Sequence, residues 1–431
     1  MSIIGIVILL FIILLFLGLP VTFVLGISSV AYCFLSGNLD FLYIISHNLF
    51  KGMDNFVLMA IPLFILTGEI MNQGTITTKL VHFANILVGR WRGGLAHVNV
   101  VGSMFFAGIT GSALSDVAAL GSMLIPAMER SGYDKEFSAA VTAASAIQGP
   151  IIPPSIPAVL IAAVTGTSTG ALFLGGAIPG ILLGLFCCLI VAILAKKRNY
   201  PQQKEKITLN LFIKALVQSF LPLLTPLIIL GGILLGVFTP TEAAAVSVVY
   251  ALVLTTVAYR VFSWKKMKEV LVTTVLSTSK IYMIIGTASI FAWILSMENI
   301  PALAASFLAS FAGNKITCLI IINLFLLFWG MWMDTAPSIM VLMPLLLPIA
   351  STIGIHPTHL GVIVILNLMI GLLTPPFGMA LFSAQAVSNV SLKGLLKELW
   401  PFLLGHFLIL MLVTFIPAIS LFLPRLFGLI N

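Results

Sequence analysis

The sequence predicts an all-α polytopic membrane protein, built as an inverted repeat with two re-entrant hairpins and two broken helices. Its 431 residues are 60% hydrophobic and 8% charged, whereas soluble domains average about 25% charged residues. Apolar stretches of membrane-spanning length recur from Ile3 to Phe427. Proline pairs interrupt two of these stretches, in GPIIPPS (149–155) and GLLTPPF (371–377). Such pairs break or kink a helix, and a break in hydrocarbon must be buried in protein or line a wet cavity.

The two interrupted segments belong to a repeat whose copies are 222 positions apart, the separation of Pro154 and Pro376. Six further glycines and prolines agree at this offset. The pairs are Gly108 and Gly330, Pro126 and Pro348, Gly132 and Gly354, Gly149 and Gly371, Pro153 and Pro375, and Pro179 and Pro401. Chance is the alternative, since the chain has 35 Gly and 22 Pro. So many coincidences at one offset favour a true repeat.

The distribution of basic residues predicts that the two copies have opposite orientations. The loops 196–206 and 259–269 are rich in Lys and Arg, and the positive-inside rule places them in the cytoplasm. Counting helices outward from them puts MERSGYDKE (128–136) inside and its counterpart IASTIGIHP, which has no Lys or Arg, outside. Both chain termini are then predicted to be periplasmic.

The first elements follow from apolar length and turn residues. Helices are predicted over 3–18 and 20–36. A spanning segment is predicted at 57–71. The amphipathic, basic-ended segment 75–92 is predicted to lie along the membrane interface.

Each half then contains a hairpin and a broken helix. Segment 95–128 has spanning length, but the charge pattern places both its ends inside, so it is predicted to be re-entrant with its tip at 108–115. The second hairpin, 317–348, is predicted to have its tip near GMWMDTAPS. The broken helices are 136–168 and 358–388. Inverted repeats with broken helices are typical of secondary transporters, so the tips and breaks are expected to meet near mid-membrane.

These elements divide the chain into five parts. Scaffold helices with an interfacial arm are predicted at 1–94 and 211–316. A hairpin, broken helix and closing helix are predicted at 95–195 and 317–431. A cytoplasmic loop, 196–210, joins the two copies.

Two acidic residues, Asp116 and Asp334, are predicted at or beside the hairpin tips, with no basic residue placed to pair with either. Charge inside a membrane is costly and usually functional, and unwound backbone carbonyls and helix C-termini favour a cation. The predicted Na⁺ ligands are Ser103, Ser112, Ser115, Asp116, Gly149, Ile152 and Pro153 in the first half and Asp334, Thr335, Gly371, Thr374 and Pro375 in the second. The alternative is that each aspartate caps a helix.

An anionic substrate is predicted to lie between the tips. No Arg or Lys is predicted at this depth, so carboxylate binding is expected to use hydroxyls, amides and helix N-termini. The predicted contacts are Gln148, Pro154, Ser155, Thr165, Asn367, Pro376 and Gln385. Plain helix packing is the alternative for the polar ones. Outside this region, Thr239 and Glu242 are predicted to cap a helix rather than bind an ion.

Four motifs carry a resemblance to a known family. AIPLFILTGEIM, GVFTPTEAAAV, GPIIPPSIP and GLLTPPFG resemble stretches of the large membrane subunit of tripartite ATP-independent periplasmic (TRAP) transporters, and the match spans essentially the whole chain. The resemblance implies a sodium-driven importer of small organic acids in a bacterial inner membrane. It also implies two partners, a separate small four-helix membrane subunit and a periplasmic substrate-binding protein, and an elevator-type ion-transporter fold.

Within that family, the sequence favours sialic acid as substrate, with a C4-dicarboxylate next, because no midplane Arg or Lys is predicted for a dianion. A partner-independent anion/sodium symporter or a channel is the alternative. An intramembrane aspartyl protease is less favoured, because SALSD and MWMDT do not match the G-x-G-D motif of that family. Nucleic acid is not an expected partner, since the basic residues are spread over short loops, and the protein is not expected to be an enzyme.

Overall fold

The computed structural model describes residues 3–38, 40–72, 76–202, 209–261, 263–303, 306 and 315–430. Every element within these residues is helical. Residues 203–208 of the predicted cytoplasmic loop, and residues 307–314 before the second hairpin, lie outside the described residues.

The first repeat begins with five helices and continues with a hairpin, a broken helix and a long closing helix. In order, its helices are α1 (Ile3–Phe16), α2 (Val21–Leu35), α3 (Phe41–Met53), a 3₁₀ turn (Phe56–Met59), α4 (Ala60–Asn72), α5 (Ile76–Val88), α6 (Gly94–Thr110), α7 (Ala113–Arg130), α8 (Lys135–Ala146), α9 (Ile156–Thr165) and α10 (Thr169–Lys197).

The second repeat has the same order with fewer breaks at its start. Its described helices are α11 (Leu209–Leu234), α12 (Pro240–Val253) with a π turn (Leu254–Ala258), α13 (Trp264–Met297), α14 (Lys315–Gly330), α15 (Thr335–Thr352), α16 (Pro357–Gly371), α17 (Met379–Ser388), α18 (Leu392–Phe415) and α19 (Ala418–Leu426).

Both predicted hairpins and both predicted broken helices are present, which confirms the fold class. Helices α6 and α7 form the first hairpin, and α14 and α15 form the second. Helices α8 and α9 are separated by 147–155, and α16 and α17 by 372–378, the segments that hold the proline pairs. Gly111 ends α6 with a φ of 60°, a conformation that glycine adopts at little cost.

The first halves of the broken helices lie at the centre of the protein. Every residue of α8 from Phe137 to Ala146 is buried, as is every residue of α16 from Thr358 to Gly371. Small side chains fill most of α8 and let neighbouring helices approach it closely. The two breaks therefore begin in the most buried part of the chain.

Helix α3 and the break that follows it were not predicted. Helices α3 and α4 are bent by 57° across the 3₁₀ turn, where Asn55 accepts a hydrogen bond from the N–H of Val57 at 2.9 Å. Their counterpart at the repeat offset is α13, which continues without a break. The repeat therefore predicts where a helix lies along the chain, but not whether that helix is broken.

The described helices fit a multi-pass membrane protein. Six of them are long and apolar enough to cross a bilayer by length and composition, or seven if α3 and α4 are counted as one span. The predicted cap of α12 is confirmed. The Thr239 side chain accepts a hydrogen bond from the N–H of Glu242, and the Glu242 carboxylate accepts one from the N–H of Thr239 at 2.8 Å. Glu242 therefore belongs to a capping box.

A polar cluster ties the loop after α10 to both repeats. The Arg198 guanidinium lies 2.7 Å from the Glu398 carboxylate of α18 and 3.2 Å from that of Asp134. The Tyr200 hydroxyl donates to Asp134 at 2.6 Å. Burial, together with this hydrogen bond, raises the pKa of Tyr200 to about 12, so the phenol stays protonated at neutral pH and remains a donor. The cluster links the end of the first repeat to the closing helix of the second.

We expect Arg198→Met to destabilise the protein by about 1–3 kcal/mol, because it leaves the Glu398 carboxylate, only 13% exposed, without its cation. The measurement is the thermal unfolding midpoint of the purified protein in detergent. Lys197→Met is the matched control, since Lys197 is the exposed neighbour at the end of α10. Equal midpoints for the two variants would show that the ion pairs of Arg198 contribute nothing to thermal stability.

Candidate functional site

The two hairpin tips meet, as the sequence predicts. A cavity of about 120 Å³ lies between them. Its polar lining includes Ser112 from the first tip and Asp334 and Thr335 from the second. Pro150 and Leu372, one from each break, complete the convergence. Four segments that are distant in sequence thus share one small space.

At the first tip, a buried carboxylate lies against the backbone of the break. Asp116, in the first turn of α7, has an exposure of 0%. A Cβ placed on Gly149 would lie 2.5 Å from Asp116 Oδ2, so only glycine leaves room for this contact. A Cβ on Gly111 would similarly lie 3.1 Å from the carbonyl oxygen of Pro154. The tip and the break fit together through two glycines.

The serines of the first half have separate positions. Ser112 caps α7 and accepts a long hydrogen bond from the N–H of Ser115 at 3.5 Å. Ser155 caps α9, accepting from the N–H of Ala158, and its hydroxyl donates to the carbonyl of Pro150. Ser103 lies deeper, 2.9 Å from the hydroxyl of Ser145. Ser103 therefore joins α6 to α8 rather than lining the cavity between the tips.

At the second tip, Asp334 is the N-cap of α15 and accepts a hydrogen bond from the N–H of Thr335 at 2.7 Å. The Thr335 hydroxyl is buried and has no hydrogen-bond partner among the described residues. Thr374 donates to the carbonyl of Ile370 at 2.8 Å. These contacts support the capping alternative for Asp334, and they leave one carboxylate oxygen that the N–H of Thr335 does not use.

The two aspartates are not equivalent in the repeat. Ser112 and Asp334 are 222 positions apart and cap equivalent helices, α7 and α15. The equivalent of Asp116 is Ser338, which donates to the carbonyl of Asp334 at 2.7 Å. Each tip therefore holds one acid, but the acids lie one helical turn apart in the two copies. Sequence reasoning grouped them by their distance from the tips and missed this difference.

The predicted substrate contacts do not all converge. Thr165 ends α9 and donates to the carbonyl of Ile161 at 2.7 Å. Asn367 is buried and donates to Asn323 at 2.7 Å. Gln385 lies in α17, seven residues beyond Gly378 at the end of the break. None of these three residues lines a described cavity.

Gln148 is placed differently. Its side chain is fully buried at the end of α8, and neither amide atom has a hydrogen-bond partner among the described residues. A Cβ on Gly184 would lie 2.8 Å from its Oε1 atom. The amide thus faces α10, and it retains donors and an acceptor that a ligand could use.

Sequence reasoning missed several polar residues. A buried network of Asn99, Thr142 and Ser145 joins α6 to α8, with 2.6 Å between the Asn99 amide and the Thr142 hydroxyl. Asn323 makes the corresponding link in the second copy, between α14 and α16. The only sequence signal for these residues was that each is an isolated polar residue within an apolar helix.

The sequence offers no basic residue placed to pair with either acid, but one basic residue shares a cavity with Asp334. Lys280 of α13 and Asp334 line the same cavity, which has a volume of about 760 Å³. Lys280 was overlooked because the sequence does not show which face of a long helix points towards a distant hairpin.

The residue types at the first tip fit the coordination chemistry of a monovalent cation. Hard cations take oxygen ligands, and a buried carboxylate beside an unwound backbone supplies them. The Asp116 carboxylate occupies the space that a Cβ on residue 149 would fill, so glycine at this position lets the carboxylate lie against the break. Ser112 and Ser115 line a separate cavity that they share with Glu69 of α4.

A repeated helical unit with a hairpin and a broken helix in each copy, converging on polar tips, defines a membrane transporter. Residues 8–419 match the family described as "Tripartite ATP-independent periplasmic transporter, DctM component", and the chain belongs to that family. It is therefore the DctM component of a TRAP transporter, a transporter subunit and not an enzyme.

Two relatives illustrate the match. The chain is 42% identical over 418 residues to the sialic acid TRAP transporter large permease protein SiaM of Vibrio cholerae, covering 96% of each protein. It is 39% identical over 380 residues to the C4-dicarboxylate TRAP transporter large permease protein DctM of Pseudomonas aeruginosa, covering 88% of this chain and 89% of that protein.

A solved structure shares the fold. The crystal structure of the Alcanivorax borkumensis YdaH transporter, described as having an unusual topology, matches with a TM-score of 0.61. The match covers 94% of this chain and 97% of that chain at 15% identity. At this identity the likeness supports the fold alone.

Proposed function

We propose that this subunit imports a small organic acid, driven by sodium, through a bacterial inner membrane. Sialic acid is the favoured substrate and a C4-dicarboxylate the next. A small four-helix membrane subunit completes the membrane complex, and a periplasmic binding protein delivers the acid. The observation that carries the proposal is the buried Asp116 carboxylate against the backbone of the first break at Gly149.

Sodium is proposed to bind at both tips. At the first tip the proposed ligands are Asp116, Ser112, Ser115 and carbonyls of 149–153. Ser103, which lies deeper on α6, is proposed as a further ligand. At the second they are Asp334, Thr335, Thr374 and carbonyls of 371–375. The positions of Asp116 beside Gly149, and of Asp334 and Thr335 in one cavity, support this arrangement. Negative helix C-termini at both breaks favour a cation.

Transport is proposed to occur by an elevator movement. The parts 95–195 and 317–431 would move together as the transport domain against the scaffold parts 1–94 and 211–316. The convergence of the tips on both breaks supports one moving unit. The excess of basic residues in 196–206 and 259–269 supports periplasmic termini.

The proposal for sialic acid rests on relatives and on charge. A relative that covers nearly the whole chain is named for sialic acid, and another is named for C4-dicarboxylates. Lys280 is the only basic residue among those that line the described cavities, which suits one carboxylate better than two.

We expect Asp116→Asn to raise the sodium concentration for half-maximal uptake at least about tenfold, because a charged ligand contributes about 1.5–3 kcal/mol. The measurement is uptake of labelled sialic acid into proteoliposomes that hold this chain and its small partner, with the cognate binding protein outside. Asp54→Asn is the control, because Asp54 is an exposed carboxylate at the end of α3. An unchanged sodium response would remove Asp116 from the ion site.

The same assay tests the alternatives. Uptake that requires an inward sodium gradient and the binding protein supports the tripartite mechanism. Sodium-dependent uptake of a C4-dicarboxylate instead would keep the mechanism and replace the substrate. Uptake or current without the binding protein would favour a partner-independent symporter or a channel.

A further inference from the structure

A cavity of about 760 Å³ lies beside the second tip, whereas the cavity between the tips holds only about 120 Å³. Small-molecule sites are typically about 300–1,000 Å³, so of these two cavities only the larger has the size for a sugar acid. Asp334 lines both cavities, which places the larger one next to the proposed ion site. Its walls are α13, the turn between α1 and α2, and the second tip and break.

Helix α13 presents a single face to this cavity. Its lining residues follow helical spacing and are Leu276, Ser279, Lys280, Met283 and Ile284. Lys280 is near the middle of this helix, far from the basic start at Lys265 and Lys266. A charged residue within an apolar membrane helix is costly and by default functional. The spacing thus brings one ammonium group to a space of substrate size.

The opposite wall supplies aromatic rings and a free donor. The centroid of the Trp332 ring lies 4.6 Å from the ring centroids of both Phe16 and Phe377. Its indole N–H is buried and has no hydrogen-bond acceptor among the described residues. A buried N–H without an acceptor is unfavourable, so an acceptor on a ligand would relieve it. Aromatic rings also suit the apolar face of a sugar ring.

We propose that this cavity receives the organic acid and that Lys280 binds its carboxylate. The Trp332 indole and the Ser279 hydroxyl are the further donors. Lys280 is the only base among the residues that line the cavity in the described part of the chain, so a second carboxylate would be buried without a cation, which is unfavourable. The site therefore selects a hydroxylated monocarboxylate over a dicarboxylate. This inference rests on the proposed import of an organic acid.

The test compares Lys280→Met, Lys280→Arg and the unchanged complex of this chain with its small subunit. Uptake of N-acetylneuraminate is measured at saturating sodium and binding protein, and binding to the detergent-purified complex is measured by thermal stabilisation. Lys280→Met is expected to weaken binding and raise KM about tenfold or more, with the maximal rate within about twofold. Lys280→Arg is expected to recover most of the affinity. Lys268→Met, an exposed lysine near the start of the same helix, is the control.

Unchanged binding and KM in Lys280→Met would overturn the inference. Loss of the small subunit during purification, with unchanged affinity in the remaining complex, would also overturn it and assign Lys280 to a subunit contact. Binding by the unchanged complex without uptake, lost in Lys280→Met, would sustain the inference while refuting the proposed transport. Absence of both binding and uptake in the unchanged complex would refute both.

Discussion

Gly149→Ala is expected to abolish sodium-stimulated uptake while leaving the protein folded. The new Cβ would lie 2.5 Å from Asp116 Oδ2 and 3.2 Å from the carbonyl oxygen of Ala146. The first distance is far inside van der Waals contact, so the end of a flexible side chain must move. Displacing a ligand by about 1 Å can reduce activity about a hundredfold. The carboxylate would leave the break, and the proposed cation would lose its charged ligand.

The measurement is the sodium dependence of sialic acid uptake in proteoliposomes, together with the thermal midpoint of the purified variant. Gly231→Ala is the matched control, because nothing lies within 4 Å of a Cβ at that position in α11. We expect the control to transport normally. Normal sodium affinity in Gly149→Ala would place the cation away from this contact. A large loss of thermal stability would instead make Gly149 a packing residue.

The repeat and the breaks were predictable from sequence because they depend on local backbone chemistry. Proline and glycine restrict or free the backbone wherever they occur, so GPIIPPS and GLLTPPF specify helix breaks without tertiary information. The capping box at Thr239 and Glu242 is local in the same sense. The family resemblance depends on the same short motifs.

The details of the site depend on contacts between segments far apart in the chain, and those were not predictable. The offset of 222 already pairs Ser112 with Asp334, and the structure adds that both cap their helices. Lys280 lines the cavity beside the second tip because of the orientation of α13 about its own axis. An apolar helix in a membrane protein can bury several faces, so hydrophobic periodicity does not fix that rotation.

The same distinction explains the mixed result for the predicted substrate contacts. Ser155 lies at the break as the N-cap of α9, a position that favours Ser, Thr, Asp or Asn. Asn367 was proposed because it is polar in an apolar helix, yet its amide nitrogen donates to Oδ1 of Asn323. A polar residue inside a membrane helix can serve interhelical hydrogen bonding as readily as a ligand. Location at a break is therefore the stronger sequence signal for a site.

Gly371→Ala is expected to destabilise the protein strongly. Its Cβ would lie 2.6 Å from the carbonyl carbon of Gly330 and 2.7 Å from its Cα. These are backbone atoms, so no side chain can rotate away, and α14 must separate from α16. Overpacking of this kind typically costs about 1–3 kcal/mol and occasionally more. We expect the upper end of that range, since both partners lie in the buried centre of the second repeat.

The measurement is the thermal midpoint of purified variants in one detergent, and the prediction is an order rather than a single value. Gly371→Ala should lower the midpoint most, by several degrees. Gly330→Ala should lower it less, because its Cβ would meet Leu368 and Gly371 at 3.2–3.4 Å. Gly231→Ala should be neutral or slightly stabilising, as alanine is the better helix former. A midpoint for Gly371→Ala no lower than that of Gly231→Ala would mean that α14 and α16 can separate at this contact without loss of stability.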